Sequence, residues 1–278
     1  MTKLLESYLK KKHAAHREIE MVLSSVEEPT IFDVGSCEGL DSIRYSRMFP
    51  KAKIFAFEPI ASNFEKIIEN IRVFDSSKIY PFHLALSDKK SIIEIFKSSG
   101  NPENEKGEWE HGNKSSSILA PEKHLEVYDW CKFESKEEVE SDTLKSFCNQ
   151  QDIKLIDLLH MDVQGAELLV LQGADDFLSN IRAIWMEVAY LELYKDQPLK
   201  DEVTKYMKER GFLLLVEQNR VLNGDHLYVN EEMLKEDFAE SDYKKILKQA
   251  KANRFKTELI IQNIRSKMVA WKMSMFSK

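Results

Sequence analysis

Short apolar runs and amphipathic stretches alternate along most of the chain. The apolar runs that predict strands are TIFDVG, AKIFAFEP, IYPFHLAL, KLIDLLHMDV and RAIWMEVA. Helical spacing predicts helices over Leu40–Met48, over Ser62–Val73, around Ser141–Gln150 and over GAELLVLQGA, then over Lys200–Arg210 with Gly211 as its C-cap. Strands separated by helices indicate an α/β fold, in which a mostly parallel sheet carries helices on both faces.

The pattern changes character in four places. GFLLLVEQ and DHLYVN lie on either side of Asn219–Gly224, where Asn223-Gly224 is a turn signal, which predicts an antiparallel hairpin that closes the sheet. Residues 98–117 are polar and aperiodic, which predicts a long loop, either a binding lid or a disordered segment. Residues 3–24 predict a helix before the sheet, and residues 231–278 predict two or more helices after it. The predicted organisation is therefore an N-terminal helical extension (1–28), an α/β domain (29–230) and a helical C-terminal extension (231–278).

Composition narrows the class of protein. The 43% hydrophobic content can supply a core, and the chain shows neither an apolar run of membrane-span length nor a signal peptide, which predicts a cytoplasmic location. The three cysteines, Cys37, Cys131 and Cys148, are far apart and are interpreted as reduced thiols. A net charge of −7 argues against a nucleic-acid partner.

The charge is unevenly distributed. Residues 241–278 hold eight Lys and two Arg against Asp242 and Glu258, a net charge of +8, so the first 240 residues carry −15. The usual meaning of such a basic stretch is a pair of packing helices with a solvated charged face. The alternative is a surface that docks a partner protein or an anionic membrane.

The segment IFDVGSCEGLDS predicts a ligand site where a strand turns into a helix. The strand ends at Asp33, and Gly35 and Gly39 allow a sharp turn and a close approach to a ligand. The N-terminus of the following helix offers N–H groups to an anion. The spacing D-x-G-x-x-x-G lacks the G-x-G-x-x-G of dinucleotide folds, which disfavours a pyrophosphate.

A second carboxylate extends this site. Glu58 ends the next strand, nineteen residues past Gly39, where a carboxylate accepts hydrogen bonds from two ribose hydroxyls. Asp33 or Glu38 is placed to meet an ammonium or sulfonium charge. The predicted ligand is a nucleoside joined to an amino acid, and the alternative is a pair of ordinary turn glycines with a surface glutamate before Pro59.

The most specific stretch is HMDVQGAELLVLQGA. Its residues Asp162, Val163, Gln164, Gly165 and Glu167, followed by Leu171 and Gly173, resemble the D-V-[EQ]-G-x-E and L-x-G motifs of FkbM-type methyltransferases. Similar pieces between residue 31 and about residue 230 are DVGSCEG, AFEP, LALSD, SSSIL, SDTL, WMEV, YLELYKDQPL and DHLYVN. The resemblance implies a Rossmann-like, seven-stranded class I fold and methyl transfer from S-adenosylmethionine to a hydroxyl oxygen, often on a sugar or a polyketide-type natural product.

The resemblance also assigns positions. The predicted cofactor-binding residues are Asp33, Gly35, Ser36, Glu38, Gly39, Ser42, Glu58, Pro59, Ala85, Leu86, Ser87 and Asp162. Of these, Ala85 or Ser87 is expected beside the adenine. His160 stands where many family members have Lys, so the role of that lysine is not carried over.

Asp162 is the first candidate for the base that takes the acceptor's proton, because it ends a strand at the point where the sheet order reverses. The alternative role of Asp162 is a helix N-cap. Glu187, at the end of the WMEV strand, is the second candidate, and His160, on the same strand face as Asp162, is the third. His111, Ser116, Ser117, Gln164 and Glu167 are predicted to contact a small-molecule or glycan acceptor.

No metal site is predicted, because no His or carboxylate cluster shows ligand spacing. Two other functions fit the same kind of sheet. One is a nicotinamide oxidoreductase, which would share Glu58 and the glycine turn. The other is a non-catalytic scaffold whose basic tail recruits a partner.

Overall fold

The computed structural model describes residues 2–103, 111–248 and 250 of the chain. Its strands are β1 (Thr30–Val34), β2 (Lys53–Phe57), β3 (Ile79–Phe82), β4 (Ala85–Ser87), β5 (Ser91–Ser99), β6 (Lys132–Thr143), β7 (Leu158–Met161), β8 (Ala183–Ala189), β9 (Phe212–Asn219) and β10 (Asn223–Asn230). Its α-helices are α1 (Thr2–Lys10), α2 (His16–Val22), α3 (Leu40–Met48), α4 (Ala61–Val73), α5 (His124–Val127), α6 (Leu144–Gln150), α7 (Glu167–Ala174), α8 (Lys200–Glu209) and α9 (Glu231–Asp237). Short 3-10 helices cover Gly112–Lys114 and Asp175–Asn180.

The main sheet has seven strands in the order β3-β2-β1-β7-β8-β10-β9. β1 lies between β2 and β7 and runs parallel to both, so Val34 pairs with Phe57 on one side and with Met161 on the other. β10 is antiparallel to β8 and β9. The predicted parallel sheet with a terminal antiparallel hairpin is confirmed. The chain order reverses between β1 and β7, and ligands bind at the carboxyl ends of strands at such a point.

Helices cover both faces of this sheet. Successive β1 side chains point to opposite sides and pack against different helices. Phe32 and Val34 pack with buried side chains of α6, α7 and α8. Ile31 packs in the opposite layer with buried side chains of α1, α2 and α3. The N-terminal extension is therefore part of the layer that carries α3, and this arrangement brings α1 close to the carboxyl end of β1.

A second, three-stranded sheet with the order β4-β6-β5 was not predicted. The run IYPFHLAL, predicted as one strand, divides into β3 in the main sheet and β4 in the second sheet. β6 pairs along nearly its whole length with β5, although half of its twelve residues are exposed. A strand with solvent-exposed residues on both faces lacks the alternation of apolar and polar residues from which strands are predicted.

Three predicted boundaries are wrong. The single helix predicted over residues 3–24 is divided into α1 and α2 by residues 11–15. Residues 141–143 belong to β6, and α6 begins at Leu144, because Thr143 caps its first turn by accepting a hydrogen bond from the Ser146 N–H at 3.1 Å. The hairpin turn lies at residues 220–222, and Asn223 and Gly224 are already in β10.

Gly224 lies in a strand, where neighbouring atoms leave no room for a Cβ, and does not mark a turn. A Cβ at this position would lie 2.1 Å from the Tyr190 hydroxyl and 2.4 Å from the Gln218 carbonyl oxygen. Gly211, by contrast, has φ +80° directly after the cap residue of α8, as the predicted helix end requires.

The C-terminal extension is described only in part. α9 and residues 240–248 are helical, as predicted, whereas residues 251–278, with most of the basic stretch, lie outside the described residues. Within the described part of the chain, no helix is long and apolar enough to cross a membrane. All three cysteines are free thiols.

Candidate active site

The loop after β1 passes directly against the loop after β7. Gly35 has φ +81°, and a Cβ there would lie 2.1 Å from the Asp162 carbonyl oxygen. The Gly35 and Ser36 N–H groups donate to the Phe57 carbonyl at 3.0 Å, which fixes the loop to the end of β2. Only glycine satisfies both the backbone angle and the contact. Gly35 is thus the point at which the ends of three strands meet.

Asp33 is buried below this turn. Its carboxylate accepts a hydrogen bond from the Ser42 hydroxyl at 2.5 Å and lies 3.3 Å from His160 Nδ1. Gly39, at φ +74°, is the N-cap residue of α3. Ser42 and Gly39 therefore position Asp33 and α3 and do not themselves line a cavity.

Glu58, at the end of β2, is buried with both oxygens engaged. One accepts the Cys37 N–H at 2.8 Å and the other the Ile60 N–H at 2.9 Å. Burial raises the pKa of Glu58 to about 7, and the two backbone hydrogen bonds oppose that rise. Each carboxylate oxygen has a second lone pair, so Glu58 can still accept from a ligand hydroxyl.

A cavity of about 610 Å³ lies over the ends of β1, β2 and β4; we call it the nucleoside cavity. Its walls include Glu58 and Pro59 on one side and Ala85 and Leu86 on another. Ile60, Ile95 and Ile118 make much of its surface apolar. A planar apolar ring and a hydroxylated sugar are the groups that such a combination of apolar walls and one buried carboxylate accommodates.

A second cavity of about 570 Å³ adjoins the first; we call it the polar cavity. Both cavities are lined by Gly35, Cys37, Lys114 and Asp162. The other residues that line the polar cavity are Tyr8, Asp33, Ser36, Glu38, Leu40, Asp41 and His160. The first turn of α3 and side chains of both charges surround this space.

Asp162 stands where the two cavities meet. Its side chain is exposed to the cavities, and its Oδ1 accepts a hydrogen bond from Gln164 Nε2 at 2.5 Å. The surrounding protein partly desolvates the Asp162 carboxylate and raises its pKa, and the Gln164 hydrogen bond, His160 and Arg220 oppose that rise. No capping hydrogen bond from a helix N–H to the Asp162 side chain is found among the described residues, so the alternative role of N-cap gains no support.

Glu167, rather than Asp162, accepts backbone N–H groups at the start of α7. Its Oε1 accepts the Val163 and Gly165 N–H groups at 3.2 and 3.3 Å, which closes the loop between β7 and α7. Glu167 is buried, and burial raises its pKa to about 7. It lines neither cavity, so the structure gives it a place in the loop and not beside an acceptor.

His160 lines the polar cavity from β7. Burial lowers its pKa, but the hydrogen-bonding and charge interactions with Asp33, together with the charges of Asp41 and Asp162, outweigh burial and raise the pKa to about 9. A histidine with this pKa is protonated at neutral pH. His160 therefore supplies positive charge and an N–H donor, and its environment opposes the predicted role of a base.

Glu187 lies beside the site but outside both cavities. Its Oε2 accepts from Asn223 Nδ2 at 2.6 Å, and Arg220 lies 3.8 Å away. Burial and the nearby charges of Asp162, Glu167 and Asp225 raise the pKa of Glu187 well above its usual range. The predicted convergence of Asp162 and Glu187 on one edge of the sheet is thus present, with Asp162 alone facing the cavities.

The loop predicted to hold the acceptor contributes unequally. Ser116 and Ser117 line the nucleoside cavity, and the Ser117 hydroxyl donates to the Gln164 carbonyl at 2.8 Å. Gln164 lines the same cavity. His111 lines neither cavity, and its N–H donates to Asn101 Oδ1 at 2.7 Å.

Of the remaining predicted cofactor residues, Ser36 and Glu38 line the polar cavity. Glu38 Oε1 accepts from Asn113 Nδ2 at 3.1 Å and pairs with Lys66 at 3.2 Å. Ser87 lies outside both cavities, because its carbonyl oxygen packs against Gly173 of α7, where a Cβ would come within 2.0 Å. The glycine of the L-x-G motif is thus required for close packing of α7 on β4.

The lining residues that sequence reasoning missed include Tyr8, Cys37, Asp41, Asn113 and Lys114. Cys37 lies inside the recognised turn, with φ +51°, and its position between two motif glycines was the available signal. Asn113 and Lys114 lie in the aperiodic loop, and Tyr8 lies on an amphipathic helix without any motif. No pattern in the sequence marks these three.

A seven-stranded sheet of this order, with a glycine turn after β1, a carboxylate after β2 and a second carboxylate at the switch point, is the class I methyltransferase arrangement that the family resemblance implies. The family model described as the methyltransferase FkbM domain matches residues 33–214. The chain belongs to the FkbM methyltransferase family and is an S-adenosylmethionine-dependent methyltransferase. The expectation formed from the motifs is confirmed, and neither the nicotinamide oxidoreductase nor the scaffold is favoured.

Two curated relatives illustrate the similarity. The chain is 34% identical over 186 residues to the 2-O-methyltransferase NoeI of Sinorhizobium fredii, a match that covers 66% of this chain and 73% of that protein. It is 27% identical over 197 residues to methyltransferase sdnD of Sordaria araneosa, with the same two coverages of 66% and 73%. Among solved structures, M. capricolum TrmK in complex with S-adenosylhomocysteine is similar at a TM-score of 0.42 and 12% identity, over 91% of this chain and 96% of that one.

Proposed function

We propose that the protein transfers the methyl group of S-adenosylmethionine to a hydroxyl oxygen of a sugar unit, in a free or glycan-linked acceptor. The observation that carries the proposal is the position of Asp162, whose carboxylate faces both cavities at their junction. Support for an oxygen acceptor comes from the 34% identity to a 2-O-methyltransferase.

The two cavities fit the two ends of the cofactor. The nucleoside cavity offers Glu58 to the ribose hydroxyls and the apolar side chains of Ile60, Leu86 and Ile95 to the adenine. The polar cavity offers the N-terminus of α3 to a carboxylate and the Asp33 and Asp41 carboxylates to an ammonium. Residues of opposite charge on one wall are what a zwitterionic amino-acid end requires.

The bound cofactor supplies an electrophilic methyl group on a positively charged sulfur. Asp162 would orient the acceptor hydroxyl toward that methyl group and accept the hydroxyl proton. Positioning the two reactants is worth about 7–11 kcal/mol of the barrier in favourable cases, and proton removal adds a factor of about 10² to 10⁴. Gln164 holds the Asp162 carboxylate in place by its 2.5 Å hydrogen bond.

Calorimetry with S-adenosylmethionine, S-adenosylhomocysteine and NADH tests the cofactor site. We expect the first two to bind and NADH not to bind, since the loop lacks the glycines that admit a pyrophosphate. Transfer of a labelled methyl group to a panel of sugars, non-sugar alcohols and amines then tests the acceptor. Transfer to amines alone would overturn the proposed oxygen acceptor, and transfer to non-sugar alcohols alone would overturn the sugar.

Four further statements stay predictions that rest on the sequence alone. They concern the cytoplasmic location, the absence of a nucleic-acid partner, the three-part division of the chain and the role of the basic tail. The small-molecule acceptor is the part of the partner prediction that the methyltransferase relatives support.

A further inference from the structure

One wall of the polar cavity comes from outside the family model. The match to the family model begins at residue 33, whereas Tyr8 lies on α1 in the N-terminal extension. Leu5 and Leu9, on either side of it along α1, are buried in the layer that contains α3. Tyr8 is therefore held over the cavity by a packed helix.

The extension is also fixed behind the site. His13, between α1 and α2, lies with its Nε2 3.1 Å from the Tyr45 hydroxyl, and its ring centroid is 5.0 Å from that of Trp185 and 6.3 Å from that of His160. Burial lowers the pKa of His13 to about 3, so it packs as a neutral ring. Removing the extension would uncover the part of the His160 ring that faces His13.

Tyr8 is joined to the first turn of α3 by a small polar network. Its hydroxyl donates to Asp41 Oδ2 at 3.3 Å, and the Arg44 guanidinium lies 4.4 Å from the centre of its ring. Arg44 also donates to Asp41 Oδ1 at 2.5 Å. Asp41 is thereby held between two donors while it lines the cavity.

The carboxylates of the polar cavity differ in what already holds them. Asp33 is engaged with Ser42 below the turn, and Glu38 is engaged with Lys66 and Asn113 on the side of the nucleoside cavity. Asp41 is the carboxylate whose position depends on the N-terminal extension. It is also in the first turn of the helix that the cofactor's amino-acid end approaches.

We propose that the N-terminal extension completes the cofactor site: Tyr8 contacts the amino-acid end of S-adenosylmethionine and positions Asp41 to bind its ammonium. This inference rests on the proposed placement of that end in the polar cavity. It makes Tyr8 a cofactor-contacting residue that lies outside the residues matched by the family model and acts only on the half of the ligand that reaches the polar cavity.

The test compares two ligands that differ in that half. S-adenosylhomocysteine carries the amino-acid end, and 5′-methylthioadenosine has the same nucleoside and a thioether but lacks it. By calorimetry, Tyr8→Ala and Asp41→Asn should each weaken S-adenosylhomocysteine binding by about tenfold or more, the scale of one lost interaction with a charged group. Binding of 5′-methylthioadenosine should change by less than about twofold, since no contact to it is removed.

Tyr8→Phe and Tyr243→Phe distinguish the effect of the Tyr8 hydroxyl from an effect on the fold. Tyr8→Phe keeps the ring and the packing of α1, and should weaken S-adenosylhomocysteine binding less than Tyr8→Ala does. Tyr243 also donates to a carboxylate, at 2.7 Å from Glu231 Oε1, but lies outside both cavities. Tyr243→Phe should leave both ligands unaffected.

Each other outcome overturns the inference in its own way. An equal loss for both ligands in Tyr8→Phe and Asp41→Asn, with unfolding curves like those of the parent chain, would mean that α1 acts on the site as a whole. Unchanged S-adenosylhomocysteine binding with a raised KM for the acceptor would assign the polar cavity to the acceptor. If the parent chain binds neither ligand, the proposed function fails before the role of Tyr8 is reached.

Discussion

The nucleoside cavity and the polar cavity share Gly35, Cys37, Lys114 and Asp162, which we call the seam, but they are built from different parts of the chain. All residues that line the nucleoside cavity lie within the segment matched by the family model. The polar cavity takes Tyr8 from beyond it. Motifs at strand ends thus specify most of the nucleoside cavity, whereas the surroundings of the polar cavity also depend on packing between distant segments.

The largest expected effect is at the seam, in Asp162→Asn. Removing the proposed base should lower turnover by about 10² to 10⁴, because the acceptor hydroxyl loses the group that takes its proton. The amide still occupies the seam, so S-adenosylhomocysteine affinity should change far less than turnover. Asp225→Asn is the matched control, since Asp225 pairs with Arg220 outside both cavities. Equal losses of turnover in the two variants would remove Asp162 from the chemistry.

The second effect concerns the backbone on which both cavities rest. Gly35 and Gly211 have φ of +81° and +80°, but a Cβ at Gly211 meets nothing within 4 Å, whereas one at Gly35 would lie 2.1 Å from the Asp162 carbonyl oxygen. Left-handed strain costs about 1–2 kcal/mol in both Gly35→Ala and Gly211→Ala. The steric overlap should destabilise Gly35→Ala by about 1–3 kcal/mol more than Gly211→Ala. Gly35→Ala should also lose cofactor binding.

Urea unfolding of the two variants gives the comparison directly. The free energy of unfolding should fall in both, and the extra loss in Gly35→Ala measures the overlap between the two strand-end loops. S-adenosylhomocysteine binding should persist in Gly211→Ala. Equal destabilisation with binding retained in both variants would show that the loops separate at little cost.

The residues that hold these loops show what a single sequence can reveal. Glu58 and Asp162 were predictable, because a buried apolar run ends immediately before each and the ends of parallel strands meet at one edge of a sheet. The mostly parallel sheet with an antiparallel hairpin also followed from the alternation of runs. In both cases the relevant signal is local, and a local pattern can be seen in one sequence.

The features that were missed depend on contacts between distant segments. Tyr8 and Asp41 meet although they are 33 residues apart, and helical spacing in α1 predicts a buried face without naming its neighbours. β6 forms through pairing with β5 and not through burial of one face. Ser87 and Glu167 carried the expected motif positions, but packing against Gly173 and capping of a loop account for where they lie.

The third effect tests the charge of the polar cavity. The folded-state pKa of His160 is raised to about 9 from an ordinary 6.5, so its contribution to stability is complete below pH 6.5 and disappears as pH rises through 9. The difference in the free energy of unfolding between the parent chain and His160→Gln should therefore shrink by about 1–2 kcal/mol from pH 7 to 9.5.

His124→Gln is the control for this pH dependence. Burial lowers the pKa of His124 to about 4, so this ring is neutral across the same range and its variant should show almost no trend. A constant difference for His160→Gln would mean that His160 is neutral in the folded protein, and it would then regain its candidacy as a base.

The smallest effect belongs to the nucleoside cavity. Glu58→Gln should weaken S-adenosylhomocysteine binding by about tenfold above pH 7, because an amide presents one acceptor oxygen to the ribose where the carboxylate presents two. Since the pKa of Glu58 is raised to about 7, the parent chain should lose affinity as pH falls below 7, and the variant should not.

Glu167→Gln distinguishes this effect from a general acid sensitivity of the fold. Burial raises the pKa of Glu167 to the same value, about 7, yet Glu167 lines neither cavity. Calorimetry between pH 6 and 8 should show the parent dependence preserved in Glu167→Gln and abolished in Glu58→Gln. Loss of the dependence in Glu167→Gln alone would move the titrating group from Glu58 to the loop after β7, so the affinity of the nucleoside cavity would depend on that loop.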